Sequence, residues 1–462
     1  MSFDVVVVGG GTAGITAALT ARYEGARVAL VERSRRLGGD CTFTGCVPSK
    51  TLVEIARLVH DATVAAGEGI LESQPVVDFA RVCARRARVV EEIAEDERDE
   101  RCTAEGIRVL HADARFTGPR ELTAGEAVLT AERFVIATGS EPLVPPGLEQ
   151  VPHLTNETVF DLTELPRRLL VLGGGSIGLE LGQAFRRLGS EVTVVEMLPK
   201  LLPAEEPQVG ELAAEVLRGE GVELHLGAAI TGAVARNGEI VLALGAEEVS
   251  GDTLLVAAGR RASVAGLGLE EIGVELEQGY VKIDERCRTS AEHVFAAGDV
   301  TGGLQFTHVA SHEGRVAGQN ATGKRAKTDY RVVPWITFLD PEIARVGLTE
   351  EQARERHSGV EVVTFPMDRV DRARIVGNPV GFVKLVTASR RLLGRVGGGE
   401  LVGAQIVGPR AGELIHECVL AMKTRCFAGR LAEAIHAYPS ASMAVQQAGA
   451  QLFPLGRALV ED

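Results

Sequence analysis

Cys41 and Cys46 stand in the stretch GGDCTFTGCVPSKT with four residues between them, followed at once by Pro48 and Lys50. Beyond Cys46, the residues Leu52, Ile55, Ala56 and Val59 recur at helical spacing, so the second cysteine precedes a helix N-terminus with Pro48 in its first turn. The positive end of a helix dipole favours a thiolate, the form of cysteine that attacks disulfides or donates to an electron acceptor. The plainer alternatives are a stapling disulfide and two unrelated core thiols. A chain from a reducing compartment makes redox use the better reading of a close cysteine pair.

Chemistry of this kind needs a source of electrons, and two stretches of the chain supply nucleotide-binding geometry. Val5 to Val8 is an apolar run of the sort buried on both faces in a parallel sheet, and Gly9, Gly11 and Gly14 follow it as GxGxxG. A second strand, Ala26 to Val31, ends at Glu32, 23 positions after Gly9. The glycines permit a tight turn and close approach of a pyrophosphate to a helix N-terminus, while the carboxylate accepts from ribose hydroxyls. The pattern recurs: Leu170 to Leu172 leads into Gly173, Gly175 and Gly178, and Val192 to Val195 ends at Glu196, again 23 positions after the first glycine. Two such folds imply two dinucleotides and electron transfer between them. Met197, Leu198 and Pro199 follow Glu196 and offer no arginine for a 2′-phosphate, which favours NADH over NADPH.

The rest of the chain frames these units. Residues from Phe79 read as a long helix reaching Gly106, with the acidic stretch Glu91 to Glu100 on its solvated face. Pro142, Pro145, Pro146 and Gly147 mark a domain edge. Gly298 and Asp299 stand at the end of the strand Val294 to Ala297, where open parallel sheets bind ligands. From about Tyr330 separated strands and helices without a glycine fingerprint indicate an α+β domain, with Met443, Val445 and Leu452 on its final helix. The 462 residues thus divide into a nucleotide-binding domain at 1–145 continued at 263–330, a second at 146–262, and a third domain at 331–462. The fold class is α/β: two Rossmann-like domains plus a C-terminal α+β domain.

Lysine and arginine number 49 against 63 aspartates and glutamates, a formal charge of −14, and no basic stripe occurs; nucleic acid and anionic membranes are poor partners. No apolar run approaches a membrane span of ~18 residues. MSFDVVVVGGG opens as a strand, without a basic leader, so a cytoplasmic location is expected. Cys83, Cys102, Cys287, Cys418 and Cys426 receive no role, and no metal-ligating set is read.

In order along the chain, GxGxxG, GGDCTFTGCVPSK, ATGS at 137–140, GGGSIGLE at 173–180, VAAGR at 256–260, AAGDV at 296–300 and FLDPEIARVGLTE at 338–350 resemble the two-dinucleotide flavoprotein disulfide reductases, the family of lipoamide dehydrogenase, glutathione reductase and mercuric reductase. The resemblance implies FAD in the first fold, with Gly9, Gly11, Gly14, Glu32, Ala114, Thr138, Gly139, Asp299 and Thr307 around it. It implies NAD(H) in the second, at Gly173, Gly175, Gly178, Glu196 and Gly259. Cys46 is then the charge-transfer thiolate against the isoalloxazine and Cys41 the interchange thiol. Lys50 lies near flavin N5 and pairs with Glu180, which keeps a buried cation from being unpaired. Residues from 331 form a homodimer interface that completes each site with the partner's C-terminal segment.

One departure matters. Lipoamide dehydrogenase and glutathione reductase carry a histidine directly before a proline in that segment, with a glutamate behind it; here Tyr438 precedes Pro439, Met443 holds the glutamate position, and His436 and Glu433 lie earlier. A tyrosine of ordinary pKa ~10 is a poor base near neutrality, and positioned acid-base help is typically worth about 10²- to 10⁴-fold. Mercuric reductase also has an aromatic residue before the proline, but usually carries a further C-terminal cysteine pair, whereas this chain reads FPLGRALVED. The expectation is an NADH-dependent FAD disulfide reductase, mercuric reductase-like in lacking the histidine, delivering electrons to a small disulfide, metal ion or quinone-like oxidant. The alternatives are a dihydrolipoamide dehydrogenase using His436 or a water, and a flavin-bearing redox sensor that does not turn over.

Overall fold

The computed structural model describes residues 1–461, so the last residue of the FPLGRALVED segment, Asp462, lies outside them. The chain forms two compact units: 1–167 with 232–241 and 250–329, and 168–231 with 242–249 and 330–462.

The first unit is built on a seven-stranded sheet. The Ser2–Val8 strand lies between Val28–Glu32 and Ala127–Ile136, both parallel to it, with Val8 beside Val31 and Ile136. Arg108–His111 extends one side, Glu121–Ala124 and Ala114–Gly118 the other, and Val294–Ala296 also pairs with Ala127–Ile136. Val5 to Val8 are buried, as a strand covered on both faces requires. The Thr12–Tyr23 helix packs closely on Thr307–Ala321, with Ala13, Ala17, Ala18 and Ala21 in one core cluster with Val316 and Ala317. Small residues permit this approach: a Cβ on Gly314 would stand 2.3 Å from the Ala13 carbonyl oxygen.

Three local readings change. Cys46 is itself the first residue of its helix, Cys46–Gly67, and Cys41 sits in a single helical turn, Gly39–Phe43. The helix from Phe79 ends at Ala94; a 3-10 turn, Glu95–Glu97, follows, and Asp99–Ala104 is a separate short helix. The acidic stretch puts negative charge at the negative end of the helix dipole, and Arg98, with φ −65° and ψ 152°, breaks the run. Finally, Met443–Ala450 is followed by another helix, Pro454–Glu461, leaving Leu452 between them. Pro454 opens the new helix because it cannot continue the old one.

The second unit holds the other glycine turn. Arg168–Leu172 and Glu223–Leu226 run parallel to Glu191–Glu196 on its two sides. Its C-terminal part is a five-stranded antiparallel sheet in the order Pro334–Thr337, Glu342–Gly347, Glu400–Gly408, Phe382–Ala388, Glu361–Pro366. The Ala411–Thr424 helix contributes Ile415, Cys418 and Ala421 to the core beneath it. Among the described residues no helix is long and apolar enough to cross a membrane.

Candidate active site

The two glycine turns repeat one geometry. A Cβ on Gly14 would stand 1.8 Å from the Gly9 carbonyl oxygen, and one on Gly178 would stand 2.2 Å from that of Gly173. These glycines let helix and strand meet. Gly11 and Gly175 differ, since among the described residues the nearest atom to a Cβ on Gly11 is 3.8 Å away and nothing lies within 4 Å of one on Gly175. That open middle position is where a pyrophosphate can approach the backbone.

The two carboxylates repeat as well. Glu32 accepts from the backbone N–H groups of Gly10 at 2.6 Å and Ser34 at 2.7 Å; Glu196 accepts from Gly174 at 2.6 Å and Leu198 at 2.7 Å. Each carboxylate therefore braces its own glycine turn. With about four lone-pair sites per carboxylate, each keeps acceptor capacity for ribose hydroxyls.

Of the other residues read from the sequence, Thr138, Gly139 and Asp299 lie by the first turn. Thr138, beside Gly9, has a buried Oγ1 with no hydrogen-bond partner among the described residues, and Gly139 takes φ +70°. An orphaned buried hydroxyl calls for a partner. It fits a dinucleotide laid along this turn. Asp299, at the strand end, accepts from Ser140 Oγ at 2.7 Å, and burial pushes its carboxyl pKa up. Ala114 opens its strand, partly exposed. Gly259, at φ +126°, offers its carbonyl to Leu143 N–H at 3.0 Å.

The sulfurs meet at one hydroxyl. Thr307, first residue of its helix, has Oγ1 3.3 Å from Cys41 Sγ and 3.4 Å from Cys46 Sγ, so two helix N-termini and one short helical turn converge here. Neither cysteine is in a disulfide; Cys46 is exposed and Cys41 half-buried. The hydrogen bond with Cys46, then burial, holds the Cys41 thiol above the ordinary cysteine range. Lys50 follows one turn after Cys46 and is half-buried.

Glu180 lies on the Ser176–Leu188 helix, 3% exposed, with Oε1 accepting from Phe338 N–H at 2.8 Å. At the C-terminal segment, Tyr438 is exposed and donates its hydroxyl to Asp371 at 2.9 Å, an interaction that raises the phenol pKa further. The His436 side chain is 7% exposed, and both ring nitrogens face acceptors: Ala434 O at 2.9 Å and Glu417 at 3.0 and 3.2 Å. Glu433 pairs with Arg430 and not with His436. Among the described residues no group of three or more His, Cys, Asp or Glu is arranged to hold a metal ion.

Arg260, Asn156 and Asp40 were not singled out by sequence reading. Asn156 Nδ2 donates to Asp40 Oδ1 at 3.1 Å, and Arg260 reaches both. The one available signal was a charged residue directly after the buried strand Thr253–Val256 and its glycine turn.

Two nucleotide cradles and a dithiol beside one of them define a nucleotide-dependent thiol oxidoreductase. The chain belongs to the pyridine nucleotide-disulphide oxidoreductase family, whose model matches residues 3–314 and whose dimerisation-domain model matches 333–449. It is an enzyme of that FAD-dependent family, with an NAD(P)H-binding fold and the family's dimerisation domain. Dihydrolipoyl dehydrogenase of Thermus scotoductus is 37% identical over 98% of this chain and 97% of its own length. Mercuric reductase of Streptomyces lividans is 36% identical over 98% and 96%. The Cu(II) complex of the HOCl-induced flavoprotein disulfide reductase RclA from Escherichia coli matches with TM-score 0.87 at 30% identity, over 98% of this chain and 100% of that one.

Proposed function

We propose that this enzyme oxidises NADH and delivers the electron pair, by way of FAD, to the Cys41–Cys46 disulfide and then to a small oxidant. The observation that carries the reading is the Thr307 hydroxyl within hydrogen-bond reach of both sulfurs. The overall first half balances as NADH, a proton and the disulfide going to NAD⁺ and the dithiol. FAD, when bound, supplies hydride acceptance and passage of the electron pair to sulfur. The protein's residues do the rest. Glu32 and the Gly9 turn would hold the dinucleotide, the Thr138 hydroxyl would bond to it, and Lys50 would supply cationic charge and Glu180 a carboxylate. Cys41, as the interchange thiol, meets the acceptor.

Direction follows from the C-terminal segment. Tyr438 is held as a hydrogen-bond donor and both nitrogens of His436 are engaged, so neither stands ready as a base for withdrawing protons from an incoming dithiol. The reductive direction needs no such base. A soft metal ion or a small disulfide is the acceptor class that fits, since thiolates bind the one and attack the other. The mercuric reductases and the Cu(II)-bound RclA support the metal arm. We further propose a homodimer, preference for NADH over NADPH, and a reducing compartment.

The testing experiment is anaerobic turnover with NADH and NADPH side by side against Hg²⁺, Cu²⁺, disulfides and quinones. Sustained NADH oxidation with one acceptor class supports the reading; consumption that stops after one equivalent makes the chain a sensor. The Thermus relative favours a second reading, NAD-dependent oxidation of dihydrolipoamide. Robust activity of that kind, lost in His436→Ala, establishes it.

A further inference from the structure

The single helical turn Gly39–Phe43 that carries Cys41 is too short to hold its own shape, because the first and last four residues of any helix lack partners for half of their backbone groups. It is held by side-chain contacts: Thr44 donates its hydroxyl back to Asp40, Thr42 donates to Glu97 and Thr307 to Cys41, and a further group comes from more distant positions. Asp40, next to Cys41, meets Arg260 Nη2 at 2.9 Å and Asn156 Nδ2 at 3.1 Å. Asn156 also donates to the Thr44 carbonyl at 3.4 Å, just past the turn's end. The Arg260 side chain is only 12% exposed and its contacts run in several directions. Nη1 donates to Asn156 Oδ1 at 3.1 Å, Nε to Ser140 Oγ at 2.7 Å, and Nη2 to the Ser140 carbonyl at 2.9 Å. Ser140 in turn donates to Asp299, whose carboxylate lies 3.9 Å from Arg260 Nε. Arg260 itself is fixed by Tyr280, whose hydroxyl donates to its carbonyl at 2.9 Å, and by the pairing of its strand with Ser140–Pro142.

We propose that Arg260 is a positioning residue for the dithiol: through Asp40 it holds the Cys41 turn against the rest of the site and ties it to the strand end occupied by Ser140 and Asp299. The proposal rests on the reading of Cys41 and Cys46 as the redox pair. A planar guanidinium suits the task, since its fork of donors serves a carboxylate, a carbonyl and a hydroxyl together, which a lysine cannot match. The functional consequence is the effective concentration of one sulfur at the other. A loosened turn leaves both thiols in place but closes the disulfide less favourably.

The test uses the full flavin-bearing chain and needs no NADH, so it stands apart from the fate of the proposed activity. Wild type, Asp40→Asn, Arg260→Met, Arg260→Lys and the Asp40→Asn/Arg260→Met double variant are equilibrated in dithiothreitol redox buffers. The oxidation state of Cys41 and Cys46 is then read by alkylation and peptide mass spectrometry. Arg260→Met is expected to lower the equilibrium constant for disulfide closure by about tenfold, which is about 30 mV upward in midpoint potential. Arg260→Lys recovers only part of this, and the double variant is no worse than Arg260→Met alone. Should Arg260→Met fold poorly, Asp40→Asn, an isosteric change, carries the test with a shift of the same sign. Midpoints unchanged in Asp40→Asn and Arg260→Met overturn the proposal, and so do fully additive effects in the double variant.

Discussion

Replacing Thr307 by valine removes the hydroxyl shared by the two sulfurs while nearly preserving shape. The hydroxyl lies 3.3 Å from Cys41 Sγ, and its hydrogen bond lowers the Cys41 pKa against the opposing effects of Cys46 and burial. A hydrogen bond of this kind contributes on the order of 1 kcal/mol. One pKa unit corresponds to about 1.36 kcal/mol, so the Cys41 pH–rate profile moves up by roughly 0.7 units. Below its pKa the thiolate fraction, and with it the alkylation rate, falls about fivefold at fixed pH. The assay is the rate of iodoacetamide capture at Cys41 in the fully reduced protein, followed by peptide mass spectrometry between pH 6 and 9. Thr307→Ser keeps a hydroxyl and should stay within about twofold of wild type. A Thr307→Val rate equal to or faster than wild type would refute the reasoning, since the hydroxyl would then not be stabilising the thiolate.

Other perturbations separate fold from site. Gly11→Ala should fold normally, its new Cβ meeting nothing closer than 3.8 Å, yet purify with little flavin by absorbance; Gly14→Ala, driven to 1.8 Å from the Gly9 carbonyl, should also lose stability in thermal melts. Tyr438→Phe removes an exposed hydrogen bond to Asp371 and should leave steady-state NADH oxidation within about twofold, whereas a loss of about 100-fold would give the phenol a role in proton transfer. Lys384, 7% exposed, meets Glu206 at 3.0 Å and Glu350 at 2.8 Å, so Lys384→Met should cost about 3 kcal/mol in urea unfolding. Its hydrogen bond with Lys384 lowers the Glu350 pKa, so that part of the stability is present above the unfolded carboxyl value of ~4.3 and is lost as pH falls through the lowered folded value.

The sequence was most informative where chemistry demands a fixed local pattern. Gly9, Gly14 and Gly178 leave no room for a side chain, Gly173 takes φ +116°, and Glu32 and Glu196 each brace a backbone turn of the same form, so spacing alone picked out both turns. The cysteine pair was legible for a similar reason. The helix from Phe79 was read too long because apolar periodicity does not register what several carboxylates do at a helix C-terminus. What holds Cys41 in place was not legible. Asp40, Ser140, Asn156 and Arg260 lie up to 220 positions apart and meet only because a sheet and a strand pairing bring them together. Thr307 was assigned to the flavin by resemblance, but its place between the sulfurs depends on where its helix starts.

The most direct measurement is an anaerobic NADH titration of the flavin-bearing enzyme, wild type against Cys41→Ser and Cys46→Ser, followed by visible absorbance and by alkylation of both cysteines. The account predicts that one equivalent converts the wild-type disulfide to two alkylatable thiols and brings up a long-wavelength thiolate-to-flavin band. That band persists in Cys41→Ser and is absent from Cys46→Ser. A band of equal strength in Cys46→Ser, or cysteines left oxidised while NADH is consumed, would contradict it.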